Sequence, residues 1–250
     1  MRTSLVAGLI FANARDSMLK KLTLNRSMAS VPFGARYRVI DFALSNLVNA
    51  GVTSVGIITK ENYRSLMDHV GNGIAWDLDR KNGGLYLLPP YISRNIKKYT
   101  DTVDALYGAM DYLNRCGSEY IALCDGDDYW IDEYKLQKQV DILRKEANCV
   151  LVHTHRTLLS DVEINQPALD VSFAESASEL FFRSYICVPT VLFRAKVLYD
   201  WIDEYAKLSI VQDWRMQDFP LWLYLGTKGI FKYISESTAI YRVLPNTLSR

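Results

Sequence analysis

The run Tyr120-Ile121-Ala122-Leu123-Cys124-Asp125-Gly126-Asp127-Asp128-Tyr129-Trp130 carries an apolar strand into a turn with three carboxylates in four positions. Those charges repel one another unless a cation sits among them, and a hard ion such as Mg²⁺ or Mn²⁺, shared with phosphate oxygens, is the usual partner. A strand end in an α/β sheet is also where ligands collect. Without a ligand, the same residues would make a solvated acidic turn ahead of a helix. His153 and His155 alternate on an expected strand and point to one face. No Cys, Asp or Glu of suitable spacing joins them, which favours ordinary strand histidines over a metal pair. Trp201, Trp214, Trp222 and Tyr224 offer either a stacking face for a pyranose or a set of core side chains.

The rest of the chain must position that turn. Its 250 residues suffice for one large α/β domain or two small ones. The 29 basic and 28 acidic residues nearly cancel, so no broad field favours nucleic acid or an anionic membrane surface, and binding falls to local sites. No apolar run reaches the ~20 residues that span a bilayer. Residues Met1 to Ala12 lack the basic start and cleavage pattern of a signal peptide, so the expected compartment is the cytoplasm. Cys116, Cys124, Cys149 and Cys187 are scattered without a Cys-x-x-Cys spacing, as buried thiols would be.

Strand-like and helix-like runs alternate. Ser4 to Ala12 reads as a strand, Arg38 to Asn49 as an amphipathic helix, Val55 to Thr59 as a strand, and Asn62 to His69 and Asp101 to Leu113 as helices. Tyr120 to Cys124 returns to the sheet, followed by a helix from Tyr134 to Lys145 and a strand from Cys149 to His155. Ser184 to Phe193 has a strand-like composition, then come helices at Val197 to Tyr205 and Phe219 to Leu225 and a strand at Gly229 to Ile234. Between Gly71 and Lys98 the pairs Asn72-Gly73, Gly83-Gly84 and Pro89-Pro90 break regular structure, which predicts a loop-rich excursion near the nucleotide side of the sheet.

Two family resemblances meet at the acidic turn. Val31-Pro32-Phe33-Gly34-Ala35-Arg36-Tyr37-Arg38-Val39-Ile40-Asp41-Phe42, Ser45-Asn46 and Thr102-Val103-Asp104-Ala105 resemble the nucleotidyltransferase domain of bacterial ADP-glucose pyrophosphorylase. That family's catalytic form opens with a Gly-Gly-x-Gly-x-Arg loop whose bare amides wrap the nucleotide phosphates. Phe11-Ala12-Asn13-Ala14-Arg15 stands there instead, and Met28 stands where the family has a lysine. The resemblance is therefore to the non-catalytic, regulatory-type subunit. In this half Arg36 and Arg38 are open to two roles, surface ion pairing or anion binding.

From Tyr120 onward the chain resembles the family 2 glycosyltransferases, on the acidic run, on Lys135-Leu136-Gln137-Lys138-Gln139-Val140, on Gln217-Asp218-Phe219-Pro220-Leu221-Trp222 and on Ala239-Ile240-Tyr241-Arg242-Val243. Those enzymes use the GT-A fold. The resemblance implies Asp127 and Asp128 as metal ligands for Mg²⁺ or Mn²⁺, Asp125 and Arg242 as contacts to the donor diphosphate, and Asp218 as catalytic base. Asp218 at a helix start could equally be an N-cap. Together these readings predict a single GT-A-like, Rossmann-like α/β domain over residues 1–250 with a mostly parallel central sheet. Residues 1–118 form its nucleotidyltransferase-like half and 119–250 its glycosyltransferase-like half. The expected activity is metal-dependent transfer from a nucleotide-sugar donor to a carbohydrate or lipid-linked acceptor, in a protein that forms homo- or hetero-oligomers and binds no nucleic acid. Two alternatives stand beside it: a non-catalytic regulatory-type subunit of glucose-1-phosphate adenylyltransferase, in glycogen biosynthesis, and a nucleotidyltransferase.

Overall fold

The computed structural model describes residues 5–12, 20–59, 62–90, 102–126, 128–159, 174–207 and 218–242. Its first strand, β1 (Val6–Phe11), is apolar throughout and buried along its whole length, as a strand covered on both faces must be. Helix α1 (Val39–Asn49) turns Ile40, Ala43, Leu44 and Leu47 inward at helical spacing, and Gly51 follows at φ 81°, a left-handed conformation that glycine adopts freely. Strand β4 (Ser54–Ile58) then runs parallel to β1 with Leu9 opposite Gly56. A short helix α2 (Arg64–Val70) follows. Ahead of α1, β2 (Pro32–Phe33) and β3 (Tyr37–Arg38) form a separate antiparallel hairpin.

The stretch expected to be a loop-rich excursion contains a strand. β5 (Gly84–Leu88) pairs parallel with β4 from Ser54–Gly84 to Ile58–Leu88 and forms one edge of the sheet. Its pattern fits that place: Leu85 and Leu87 pack on one face, while Tyr86 meets Tyr112 and Leu88 packs on the other. The glycines before it and prolines after it punctuate a strand. The expected part at 91–98 lies outside the described residues. Likewise, the helix expected over Asp101 to Leu113 is two: α3 (Thr102–Gly108) and α4 (Met110–Cys116), with the Ala109 amide shared between the carbonyls of Ala105 and Leu106.

Strand β6 (Tyr120–Asp125) pairs parallel with β1, from Val6–Tyr120 to Phe11–Asp125, so the two halves of the chain contribute to the same sheet. Beyond it come β7 (Tyr129–Trp130), α5 (Lys135–Lys145), β8 (Cys149–Leu159), β9 (Leu192–Arg194), α6 (Ala195–Lys207), α7 (Phe219–Lys228) and β10 (Ile230–Arg242). The strand order is β5-β4-β1-β6-β9-β8-β10-β7, with only β9 and β7 antiparallel to their neighbours. Of the strand-like run Ser184 to Phe193, only the end is a strand. Pro189 lies in a 3₁₀ turn at Val188–Thr190, and without an N–H it cannot donate to a ladder.

Alternation along the strands divides the core. Ala7, Leu9, Phe11, Ile121 and Leu123 face α3, α4, α6 and α7, and Val6, Ile10, Tyr120, Ala122 and Cys124 face α1, α2 and α5. At Gly8 a Cβ would lie 2.7 Å from a Leu47 methyl, so glycine lets α1 settle directly on β1. Trp201 and Trp222 are buried in the first cluster, which makes them core residues rather than a sugar platform. Trp214 lies outside the described residues. Among the described residues no helix is long and apolar enough to cross a membrane.

Candidate functional site

β1, β4 and β6 end together, and the acidic turn begins at that shared edge. Asp125 is the last residue of β6, level with Phe11, and is half-buried. Gly126 donates its amide to the Phe11 carbonyl at 3.1 Å, and a Cβ there would stand 3.2 Å from the same oxygen. Glycine therefore holds the turn flush against the end of β1. Asp128 donates its amide to the Asp125 carbonyl at 3.3 Å and is buried. Asp127 lies outside the described residues.

The first half of the chain anchors the far side of this turn. Asn46 on α1 mimics a strand neighbour for Trp130: its Nδ2 donates to the Trp130 carbonyl and its Oδ1 accepts the Trp130 amide, both at 3.0 Å. Asp41 on the same helix accepts the Arg38 amide at 3.0 Å and sits 2.6 Å from His69 Nε2. Arg38 Nη1 donates to Ser65 Oγ at 2.8 Å and also to the Ser65 carbonyl. Arg38 is thus engaged in joining α1 to α2, and Arg36 lies over the Tyr37 ring. In this segment Asn46 braces the strand after the turn, and Arg38 and Asp41 tie α1 to α2.

The buried thiol of Cys187 feels the charge of several candidate groups. Burial pushes its thiol well above the ordinary cysteine range; the Arg156 guanidinium acts to lower it, and the Asp128, Asp125 and Asp218 carboxylates each raise it further. Charges from β6, the acidic turn, β8 and the start of α7 are therefore all felt at one buried sulfur. Asp218 precedes α7 and accepts the Trp222 indole N–H on Oδ2 at 3.0 Å. Its side chain makes no capping bond; the Asp218 carbonyl accepts the Leu221 and Trp222 amides. Burial raises the Asp218 carboxyl above the usual range, and the Trp222 bond opposes that shift. Arg242 ends β10 opposite Leu159, and its side chain lies outside the described residues.

Two strand histidines behave as such. His153 is buried, with Nε2 2.8 Å from the Ala174 carbonyl, and burial lowers its pKa to about 4. His155 Nδ1 lies 3.1 Å from the Tyr233 hydroxyl. Among the described residues no three His, Cys, Asp or Glu side chains come together as metal ligands. Asp125 and Asp128 are hard oxygen donors on one turn, which suits Mg²⁺ or Mn²⁺ only where substrate phosphates complete the shell. Arg156, whose charge also acts on Cys187, stands beside His155 in a strand run that carries no anion-binding motif, so no signal in the sequence singles it out.

Residues 7–159 match the family model described as Nucleotidyl transferase, well over half the chain and across the whole acidic turn. The chain belongs to the nucleotidyl transferase family. Over 141 residues it is 41% identical to a glucose-1-phosphate adenylyltransferase of Bacillus mycoides (strain KBAB4), which is 54% of this chain and 38% of that protein. It is 39% identical to that of Geobacillus stearothermophilus over 141 residues, covering 54% of this chain and 36% of the relative. The match thus spans little more than a third of each curated relative. A solved structure from Bacillus anthracis, described as a glucose-1-phosphate thymidylyltransferase in complex with a sucrose, superimposes with a TM-score of 0.57 at 16% identity. That alignment covers 93% of this chain and 87% of the other, and establishes a shared fold.

Proposed function

We propose that this chain is a non-catalytic nucleotidyl transferase family member that binds a sugar phosphate or nucleotide-sugar. In this reading it acts as a regulatory-type partner of a glucose-1-phosphate adenylyltransferase. The observation that carries this is the end of β1. There Phe11 and Ala12 are buried, the Ala12 amide is bonded to the Ile58 carbonyl at 2.9 Å, and the Phe11 carbonyl accepts Gly126. Side chains and committed backbone groups thus occupy the start of the loop that, by resemblance, is glycine in catalytic members. Met28 in place of a lysine removes a cation as well. Phosphoryl transfer depends on positioning and charge neutralisation, so losing both should lower turnover by at least ~10³-fold. Residues 1–118 and 119–250 are read as one GT-A-like unit, because strands of both lie in the same sheet.

Adenylyl transfer from ATP to glucose 1-phosphate tests the proposal. The chain alone should give no measurable ADP-glucose, and its addition to a catalytic adenylyltransferase should change that enzyme's KM or its response to effectors. Turnover by the chain alone, at the level of a catalytic member, would sink the idea.

Inverting glycosyl transfer is the second reading, favoured by the Asp125, Asp128 and Asp218 carboxylates all acting on the same buried thiol, Cys187. Asp218 would take the proton of the acceptor hydroxyl, while Asp125 and Asp128 would hold a divalent cation that stabilises a leaving diphosphate. Asp128→Asn is then expected to weaken Mn²⁺-dependent binding of UDP-, GDP- or ADP-glucose about tenfold, and Asp218→Asn to leave binding within about twofold while removing transfer. Calorimetric titrations with and without Mn²⁺ decide it. Equal loss of binding in the two variants would rule out the division of roles.

A further inference from the structure

Arg156 lies in the part of β8 where pairing with β10 slips. Ile234 faces Thr154, but Ser237 faces His155 and Ala239 faces Arg156, so two irregularities occur within these steps. Such bulges re-aim side chains. The Arg156 guanidinium stands 5.7 Å from the Tyr241 ring centroid and donates Nη1 to the Tyr185 carbonyl at a long 3.3 Å. Its Nε is buried and, among the described residues, has no acceptor. The side chain as a whole is half-buried, so part of it remains open to solvent.

An orphaned N–H of a buried charged group costs about 1–3 kcal/mol or more, and native structures rarely leave one without reason. The neighbourhood sharpens the point. Arg156 is bonded to Tyr185, two residues before the buried Cys187, yet among the described residues it forms an ion pair with no carboxylate. The bond from Nη1 to Tyr185 leaves the Nε–Nη2 edge, the side of a guanidinium that grips two oxygens of one anion. The Tyr241 ring restrains its plane.

We propose that Arg156 is an anion-binding residue, taking two phosphate oxygens of a phosphorylated sugar or a nucleoside diphosphate on its Nε–Nη2 edge. The Asp125, Asp128 and Asp218 carboxylates, whose charge reaches Cys187 as that of Arg156 does, disfavour a bare polyanion there. A phosphate monoester therefore suits Arg156 alone, whereas a diphosphate would also need a divalent cation on Asp125 and Asp128. This assignment rests on the reading that the face binds a phosphorylated sugar. It is nevertheless tested separately, because binding is measured without turnover or a partner subunit.

Glucose 1-phosphate and pyrophosphate would each be titrated calorimetrically into the intact chain in EDTA and in Mg²⁺, using wild type, Arg156→Gln, Arg156→Lys and, as a surface control, Arg80→Gln. Arg156→Gln should weaken binding at least ~10-fold and Arg156→Lys by less, since lysine keeps the charge and loses the fork. Arg80→Gln should bind as wild type. Binding of glucose 1-phosphate in EDTA identifies a monoester site, and binding of pyrophosphate confined to Mg²⁺ identifies a diphosphate site. Near-UV circular dichroism verifies folding, and Arg156→Lys serves if the glutamine variant does not fold. Unchanged affinity in Arg156→Gln, equal affinity of Arg156→Lys and wild type, or no binding of either anion by the wild type would overturn the proposal. Intact phosphate binding with no effect on a catalytic adenylyltransferase would instead count against the regulatory role alone.

Discussion

Trp222→Ala is expected to destabilise the protein by about 3–5 kcal/mol, the range for removing a fully buried large aromatic. Trp222 is completely buried, meets Phe193 edge-on at 6.2 Å between centroids, and donates its indole N–H to Asp218. The substitution opens a cavity under the sheet and also removes the indole N–H that donates to the buried Asp218 carboxyl. Trp222→Phe separates the two effects. It keeps most of the apolar volume and loses only the donor, so it should cost less in stability while the Asp218 carboxyl rises further, because the Trp222 bond lowers it. Urea unfolding of both variants and of wild type measures this. A loss below about 1 kcal/mol for Trp222→Ala would mean that the residue is not the core element described.

The second large effect concerns Lys135, the first residue of α5, whose ammonium is fully buried 4.3 Å above the Trp130 ring and 2.9 Å from Gln139 Oε1. Gln139 in turn donates to the carbonyls of Val152 and Thr190, both at 2.8 Å. Burial lowers the Lys135 pKa to about 7, although Cys124 and Asp132 act to raise it. Between that value and about 10.5 the unfolded lysine binds a proton that the folded one has released. Folding stability therefore rises with pH across this window, by up to about 1.4 kcal/mol per unit. Below about pH 7 the charge is buried and its full penalty applies. Relative to Lys135→Met, which has no such proton, wild type should gain several kcal/mol between pH 7 and 10. Denaturant midpoints of the pair at pH 6, 7.5, 9 and 10 give the difference directly. A difference flat with pH would show that Lys135 titrates normally.

Lys135 also illustrates what one chain of letters conceals. Lys135 and Gln139 lie one helical turn apart, a pattern that reads as a polar surface stripe. Only the arrival of Trp130 from β7 and of the Thr190 carbonyl from a distant turn makes it an interior network.

The sequence by itself determined the elements whose signal is local. The apolar runs of β1, β4 and β6, the helical spacing of α1 and the helix over Lys135–Lys145 follow from side-chain periodicity and breakers, which act within a few residues. It also carried the acidic turn, which depends on residue type alone, whereas reading Phe11 to Arg15 as standing in place of glycines took the resemblance to a family as well. Tertiary structure decided the rest. β5 emerged from a segment full of breakers because β4 offered it an edge, and β9 entered the sheet between β6 and β8 through pairings forty or more positions apart in the chain. That the charges of Asp125, Asp128, Asp218 and Arg156 all reach Cys187 is of the same kind. Periodicity tells a side chain to face inward or outward, but which neighbour it meets there depends on strand order and register, and these are set by the packing of the whole sheet.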